Sequence, residues 1–191
     1  MKKKIGILLV LVLLLSAFAA GCGGQADEPG EVEEDLSLAK IQDKGVLVLG
    51  CDDAFPPMGF RDSSGEIVGF DIDLARAVAE KLGVELEVKA INWDTKEMEL
   101  NSGGIDVIWN GFTITAARDL EVEYTKPYLN NEIMIAVRAD SPIRSKADLE
   151  GKILGYQVQS SADIAVKGDA EFFESLGDVR EYDTYQDALL D

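Results

Sequence analysis

The sequence predicts an α/β fold with a mainly parallel sheet, and three observations carry that prediction. The first apolar run, Val46-Leu47-Val48-Leu49-Gly50, is continuous rather than alternating, as a strand buried on both faces requires. Runs of strand length then alternate with amphipathic segments of helix length, the pattern of right-handed βαβ units. A second block with the same alternation starts near Asn130.

In chain order, Asp52 to Pro57 follows the first strand as a loop, because neither Pro56 nor Pro57 can donate to a ladder. Arg61 to Glu66 reads as a turn, leading into a short strand at Ile67-Val68. Asp71 is placed as a helix N-cap, and Ile72, Ala75, Val78, Ala79 and Leu82 form one apolar stripe that Gly83 ends. Asp71 and Asp73 resemble a carboxylate pair for acid–base work, but a helix start gives them structural roles: one caps, the other complements the dipole. Val84 to Ala90 alternates apolar and charged residues, a strand with one wetter face. Asp94 caps a second helix running to about Leu100, and Gly103-Gly104 leads into a strand over Ile105 to Trp109.

In the second block, Glu132 to Val137 is strongly apolar and Ser145 to Leu149 makes one helical turn. Lys152 to Gly155 is a strand, and Ser160 or Ser161 caps a helix to Lys167. Val179 to Tyr182 is a weaker strand, and a helix begins at Tyr185. No repeat of about 20–50 residues is visible, so this is not a solenoid.

Composition excludes several functions. The chain has 191 residues with no histidine, which removes Ser-His-Asp and Cys-His machinery, histidine metal sites and imidazole acid–base catalysis. No metal, cofactor or catalytic residue is implied. With 18 basic against 36 acidic side chains the net charge is −18, which opposes a nucleic-acid partner. Cys51 stands in an apolar strand context with no histidine to activate it, and is read as a small core residue.

Residues 1–21 read as a signal peptide. Lys2, Lys3 and Lys4 form a basic start, and Ile5 to Leu15 is too short an apolar run to span a bilayer, which takes roughly 20 residues. Ala19-Ala20-Gly21 precede Cys22 and resemble a bacterial lipobox, which implies lipidation of Cys22; the other reading is an ordinary signal peptide cut near Ala20. Residues 22–37, with Gly23-Gly24 and the acids from Asp27 to Asp35, then form a solvated tether. An acidic tether of this kind keeps a domain off an anionic membrane by repulsion.

Four segments together resemble the polar amino-acid substrate-binding proteins of ABC transporters, solute-binding protein family 3. They are Gly50-Cys51-Asp52-Asp53-Ala54-Phe55-Pro56-Pro57-Met58-Gly59-Phe60; Gly65 to Ala75, with Gly69-Phe70-Asp71-Ile72-Asp73; Ile105 to Thr115 followed by Arg118 and Tyr124-Thr125-Lys126-Pro127-Tyr128; and Ser145 to Lys152 leading to Gln159-Ser160-Ser161. The resemblance implies a type II periplasmic-binding-protein fold of two lobes, lobe 1 over 38–129 and part of lobe 2 over 130–191. In the family the chain crosses to the second lobe and returns; here the outward crossing falls near Leu129 to Glu132 and no return precedes Asp191, which reads as a C-terminal truncation.

The chemistry of these residues suits a free amino acid. Arg118 supplies a planar fork for a carboxylate, and its spacing of five from Thr113 sets a hydroxyl and a backbone N–H beside it. The resemblance implies that Arg118 grips the α-carboxylate with donors at Thr113 and at Ser161, whose N–H stands at a helix start, and that Ser160 also belongs to the ligand-binding set. It implies that Asn110 and Gly111 turn carbonyls to the ammonium, and that Asp52, Phe55, Phe60 and Trp109 shape the side-chain pocket. Taken alone, Arg118 could pair with Asp119 or Glu121 on the surface, Asp52 could cap its loop and Phe60 could be core. The function implied is capture of an amino acid for the membrane subunits of an ABC importer, by a protein anchored outside the cytoplasm through Cys22. An enzyme on the same fold and the sensing domain of a receptor are the competing readings.

Overall fold

Two parallel sheets, each with its own apolar core, organise the chain. The structure, a computed structural model, describes residues 35–191; the leader, Cys22 and most of the acidic stretch lie outside the described residues. After helix α1 (Ser37–Lys44), strand β1 (Val46–Cys51) is the central strand of the first sheet, flanked in parallel by β5 (Glu85–Ala90) and β6 (Val107–Ile108). Central placement explains why Val46 to Gly50 is apolar throughout. Helix α2 (Phe70–Leu82) packs its Ile72–Ala75–Ala79 stripe onto this sheet, with Leu49, Cys51, Ile72 and Ala75 wholly buried. Each large aliphatic side chain there contributes about 1.5–3 kcal/mol.

Several boundaries differ from expectation. Ala54–Phe55 is a short strand, β2, not loop; it pairs antiparallel with β3 (Gly59–Arg61), which pairs with β4 (Ile67–Val68). The prolines follow β2 rather than interrupt it, and a residue before proline is already biased to extended backbone. Strand β6 keeps only two residues of the expected five. Beside it, the Asp106 carboxylate accepts the Val48 N–H at 2.7 Å, so a side chain replaces a ladder bond. Asp71 is not the cap of α2: Gly69 holds that position, and Asp71 turns inward from the first turn while Asp73 stays outside, paired with Arg76. Asp94 sits inside a 3₁₀ turn (Trp93–Thr95) that precedes α3 (Lys96–Asn101), so it does not cap that helix.

The second sheet pairs β7 (Ile153–Gln157) with β8 (Asp178–Tyr182) in parallel. Their crossover runs through α4 (Ser161–Gly168) and α5 (Ala170–Ser175), over a core of Leu149, Tyr156, Val166 and Phe172. Ser160 caps α4 by accepting the Asp163 N–H, Asp169 caps α5, and Thr184 caps α6 (Tyr185–Leu190). The apolar run Glu132 to Val137 forms neither helix nor strand and is exposed.

Candidate functional site

Between the two sheets lies a cleft of about 610 Å³. It opens beyond the C-terminal ends of β1, β6 and β7, where open parallel sheets present their loops. From the first side come Phe55, Met58 and the run Asn110 to Thr113; from the second come Gln157, Ser160, Ser161 and Tyr185.

Arg118 lies at its base, at the start of a 3₁₀ turn (Arg118–Leu120), only 5% exposed. Its Nη1 donates to the Thr113 carbonyl at 3.0 Å and its Nη2 to the Gln159 carbonyl at 2.9 Å. The guanidinium carbon lies over the Phe112 ring, 4.4 Å from its centroid, and Glu97 Oε1 is 3.6 Å from Nε. The surface pairing with Asp119 or Glu121 is therefore not what the fold makes. Burial draws the Arg118 pKa down and Glu97 restores part of it. An arginine so placed keeps its charge.

Beside it Lys96, 1% exposed, donates to the Trp93 and Gln159 carbonyls and pairs with Glu97 at 3.2 Å. Gln159 adopts a left-handed φ of 54°, which presents its carbonyl to both cations while its N–H reaches Asp163. Non-glycine residues rarely hold that conformation, and here two buried cations compensate it.

Of the residues singled out from sequence, Phe55, Asn110, Gly111, Thr113, Arg118, Ser160 and Ser161 line the cleft together. Thr113 Oγ1 lies 3.4 Å from Ser161 Oγ and accepts from Asn131 at 2.7 Å, while buried Asn110 donates to the Asp52 carbonyl. Asp52, Phe60 and Trp109 do not line the cleft. Asp52 sits one layer behind it: Oδ1 accepts the Ala54 N–H and Oδ2 the Gln157 amide at 2.7 Å, and burial pushes its pKa up. Phe60 is held between Ala54 and Val68 in the antiparallel sheet. Trp109 packs on the first core and meets Tyr128 edge-on at 6.0 Å.

Lys96, Glu97, Gln157 and Tyr185 escaped the sequence reading. Gln157 carried the one usable signal, a polar residue closing a parallel strand just before a capped helix. Cys51 is buried, its thiol pushed up to about 12 by burial and by Asp53 and Asp52. Among the described residues no group of three or more Cys, Asp or Glu is placed to hold a metal ion.

Two parallel-sheet bodies with a cleft at their strand ends, and a buried arginine at its base, are the architecture of the type II periplasmic-binding-protein fold. The chain belongs to the bacterial extracellular solute-binding proteins, family 3, whose pattern matches residues 47–187. It is 32% identical over 120 residues to the L-cystine-binding protein TcyJ of Escherichia coli K12, covering 62% of this chain and 45% of that one. It is 35% identical to a glutamine-binding protein of Geobacillus stearothermophilus over 77% of this chain and 62% of that one. Among solved structures it resembles an ABC uptake transporter substrate-binding protein of Streptococcus pneumoniae with bound histidine. That match has a TM-score of 0.77 and 37% identity, over 80% of this chain and 63% of the other. The chain thus spans about half the length of the curated relatives it matches.

Proposed function

We propose that this protein is an extracytoplasmic solute-binding lipoprotein that captures a free amino acid in the cleft and delivers it to the membrane subunits of an ABC importer. The observation that carries the reading is Arg118. Of its terminal protons, one on Nη1 and one on Nη2 are taken by the Thr113 and Gln159 carbonyls. One proton on each nitrogen is left for a carboxylate, and the Phe112 ring under the planar guanidinium helps hold it in place.

The first N–H groups of α4, on Ser161 and Ala162, have no partner within the helix and belong to residues lining the cleft. They add positive potential where the carboxylate lies, and Thr113 completes its shell. Asn110 and Gly111 face the ammonium. Relatives named for binding cystine, glutamine and histidine support the same ligand class. They are binding proteins, which favours capture over catalysis. We divide the lobes between Leu129 and Asn130, and closure of one on the other is shifted by ligand. Cys22 carries the lipid.

The test is calorimetric titration of the full chain with a panel of L-amino acids, alongside Arg118→Met. At least one amino acid should bind, and the variant should bind it about 10²-fold or more weakly, as when one member of a buried charge pair is lost. Binding by Arg118→Met within threefold of the parent would show that the carboxylate is held elsewhere. Mass spectrometry of the membrane fraction tests the anchor: diacylglycerol on Cys22 is expected, and a mature N-terminus elsewhere overturns it.

A further inference from the structure

Gln157 closes β7 at the wall of the cleft and is 2% exposed, so its amide has no freedom to serve as a surface group. Both protons of its Nε2 are committed, one to Asp52 Oδ2 at 2.7 Å and one to the Asp183 carbonyl at 2.8 Å. That settles which way the amide faces. The reversed orientation would set Oε1 against the Asp183 carbonyl, which cannot donate at any pH. Oε1 is thereby turned from Asp52, no hydrogen-bond donor among the described residues reaches it, and Gln157 is one of the residues lining the cleft.

We infer that Gln157 is a specificity-determining residue, whose Oε1 selects amino acids with a side chain ending in an N–H donor (amide, guanidinium, ammonium or imidazole). This rests on the amino-acid reading above. A buried acceptor left without a partner is costly, so a ligand that cannot donate leaves Oε1 unpaired in the closed cleft. A carboxylate side chain fares worse, because it sets acceptor against acceptor. Asp52 acts through Gln157 as a positioning residue, not as a ligand contact. Phe55 and Tyr185, 5.4 Å apart between ring centroids, both line the cleft and give the stem of the ligand side chain an apolar wall.

The experiment is competition titration of the full chain with L-glutamine, L-arginine, L-lysine and L-histidine against L-glutamate and L-norleucine, on the parent and on Gln157→Met. The tightest N–H-bearing ligand should exceed both L-glutamate and L-norleucine at least tenfold on the parent. On Gln157→Met its advantage over L-norleucine should fall to within threefold, the N–H-bearing ligand losing far more than L-norleucine does. A purely structural role would weaken all six together. Should Gln157→Met not fold, Gln157→Asn, which draws the amide back by one methylene, is read in the same way. If the parent binds L-norleucine or L-glutamate as tightly as its best N–H ligand, this inference fails while the amino-acid reading stands. If it binds no amino acid at all, the reading itself fails.

Discussion

The carboxylate of Asp71 holds the backbone N–H of Gly111 at 2.6 Å, joining the first turn of α2 to the cleft loop forty positions away. Its other oxygen accepts the Tyr128 hydroxyl at 2.8 Å, and both partners line the cleft. One wholly buried side chain therefore fixes two pieces of the cleft wall to the first core. Burial pushes the Asp71 pKa up, and the two donors offset part of that.

Replacing Asp71 with Ala leaves two inward donors without an acceptor. The expected loss is about 2–4 kcal/mol of unfolding free energy, from one to two unsatisfied buried groups. Asp71→Asn keeps one acceptor but sets its NH₂ against the second donor, so it should lose roughly half as much. Denaturant melts of the three proteins decide this. An Asp71→Ala variant within about 0.5 kcal/mol of the parent, the range of ordinary surface changes, would show that the network does not hold the wall.

Stability should rise as pH falls from neutral into the weakly acid range. Burial holds both Asp52 and Asp71 above the usual carboxylate value of 3.8. At these two positions the folded state binds protons more tightly than the unfolded chain. Their contribution is complete below the ordinary Asp range and is lost as pH rises through the raised values. Asp62, Asp148 and Asp169 are held low and act in the opposite sense, but only below that ordinary range. Relief of self-repulsion at a net charge of −18 adds to the trend, and salt separates the two causes because it screens the surface and not the buried groups. Melting temperatures taken in high salt as the pH is lowered from neutral toward the ordinary Asp value should still climb, less steeply in Asp52→Asn; a flat profile in the parent would contradict the buried-carboxylate account.

Two glycines flanking α2 should respond unequally to alanine. Gly83 ends the helix at φ 73° with open space where a Cβ would go, so Gly83→Ala should cost about 1 kcal/mol of left-handed strain. Gly69 has φ 138°, and a Cβ there would stand 2.4 Å from the Met58 carbonyl oxygen. Gly69→Ala should cost about 3–5 kcal/mol, strain and steric displacement together. Thermal melts of the pair that place Gly83→Ala as the worse variant would refute this ordering.

What the sequence revealed and what it hid follows from how far each signal reaches. The apolar run of β1, the α2 stripe and its Gly83 stop, the Ser160 cap and the helix start at Tyr185 are local patterns, and each stands where periodicity and turn chemistry put it. Helix α1 is eight residues long and buries none of them, and no core-facing run announced it. Arg118, Thr113 and Ser161, grouped by the resemblance, do come together at one cleft, because a strand-end loop and a helix start are local motifs. Gln157 was not legible, since its role depends on Asp52, 105 positions away. The same distance misled the reading of Asp52: a strand-end aspartate looks like a ligand contact until a partner from the other sheet occupies it. Lys96 and Glu97 sit in a helix turn that composition alone makes a solvated face, and only folding turns them onto Arg118.

That last cluster sets stability against binding. Glu97 is the one carboxylate within 4 Å of both Lys96 Nζ, at 3.2 Å, and Arg118 Nε, at 3.6 Å, among the described residues. Burial disfavours charge on both cations, and Glu97 counters it in each case. Glu97→Gln should therefore weaken the fold by about 1–3 kcal/mol, less than for a fully buried pair because Glu97 is 23% exposed and the amide can still accept a hydrogen bond. Under the proposed function, a ligand carboxylate competes with Glu97 for the same guanidinium. With that competitor neutralised, amino-acid affinity should rise about 3–10-fold, the size of a charge interaction removed across a partly solvated site. The two effects have opposite signs in one variant, so melting and titration of Glu97→Gln read them separately. Affinity falling together with stability would mean that Glu97 orients the Arg118 fork rather than competing for it.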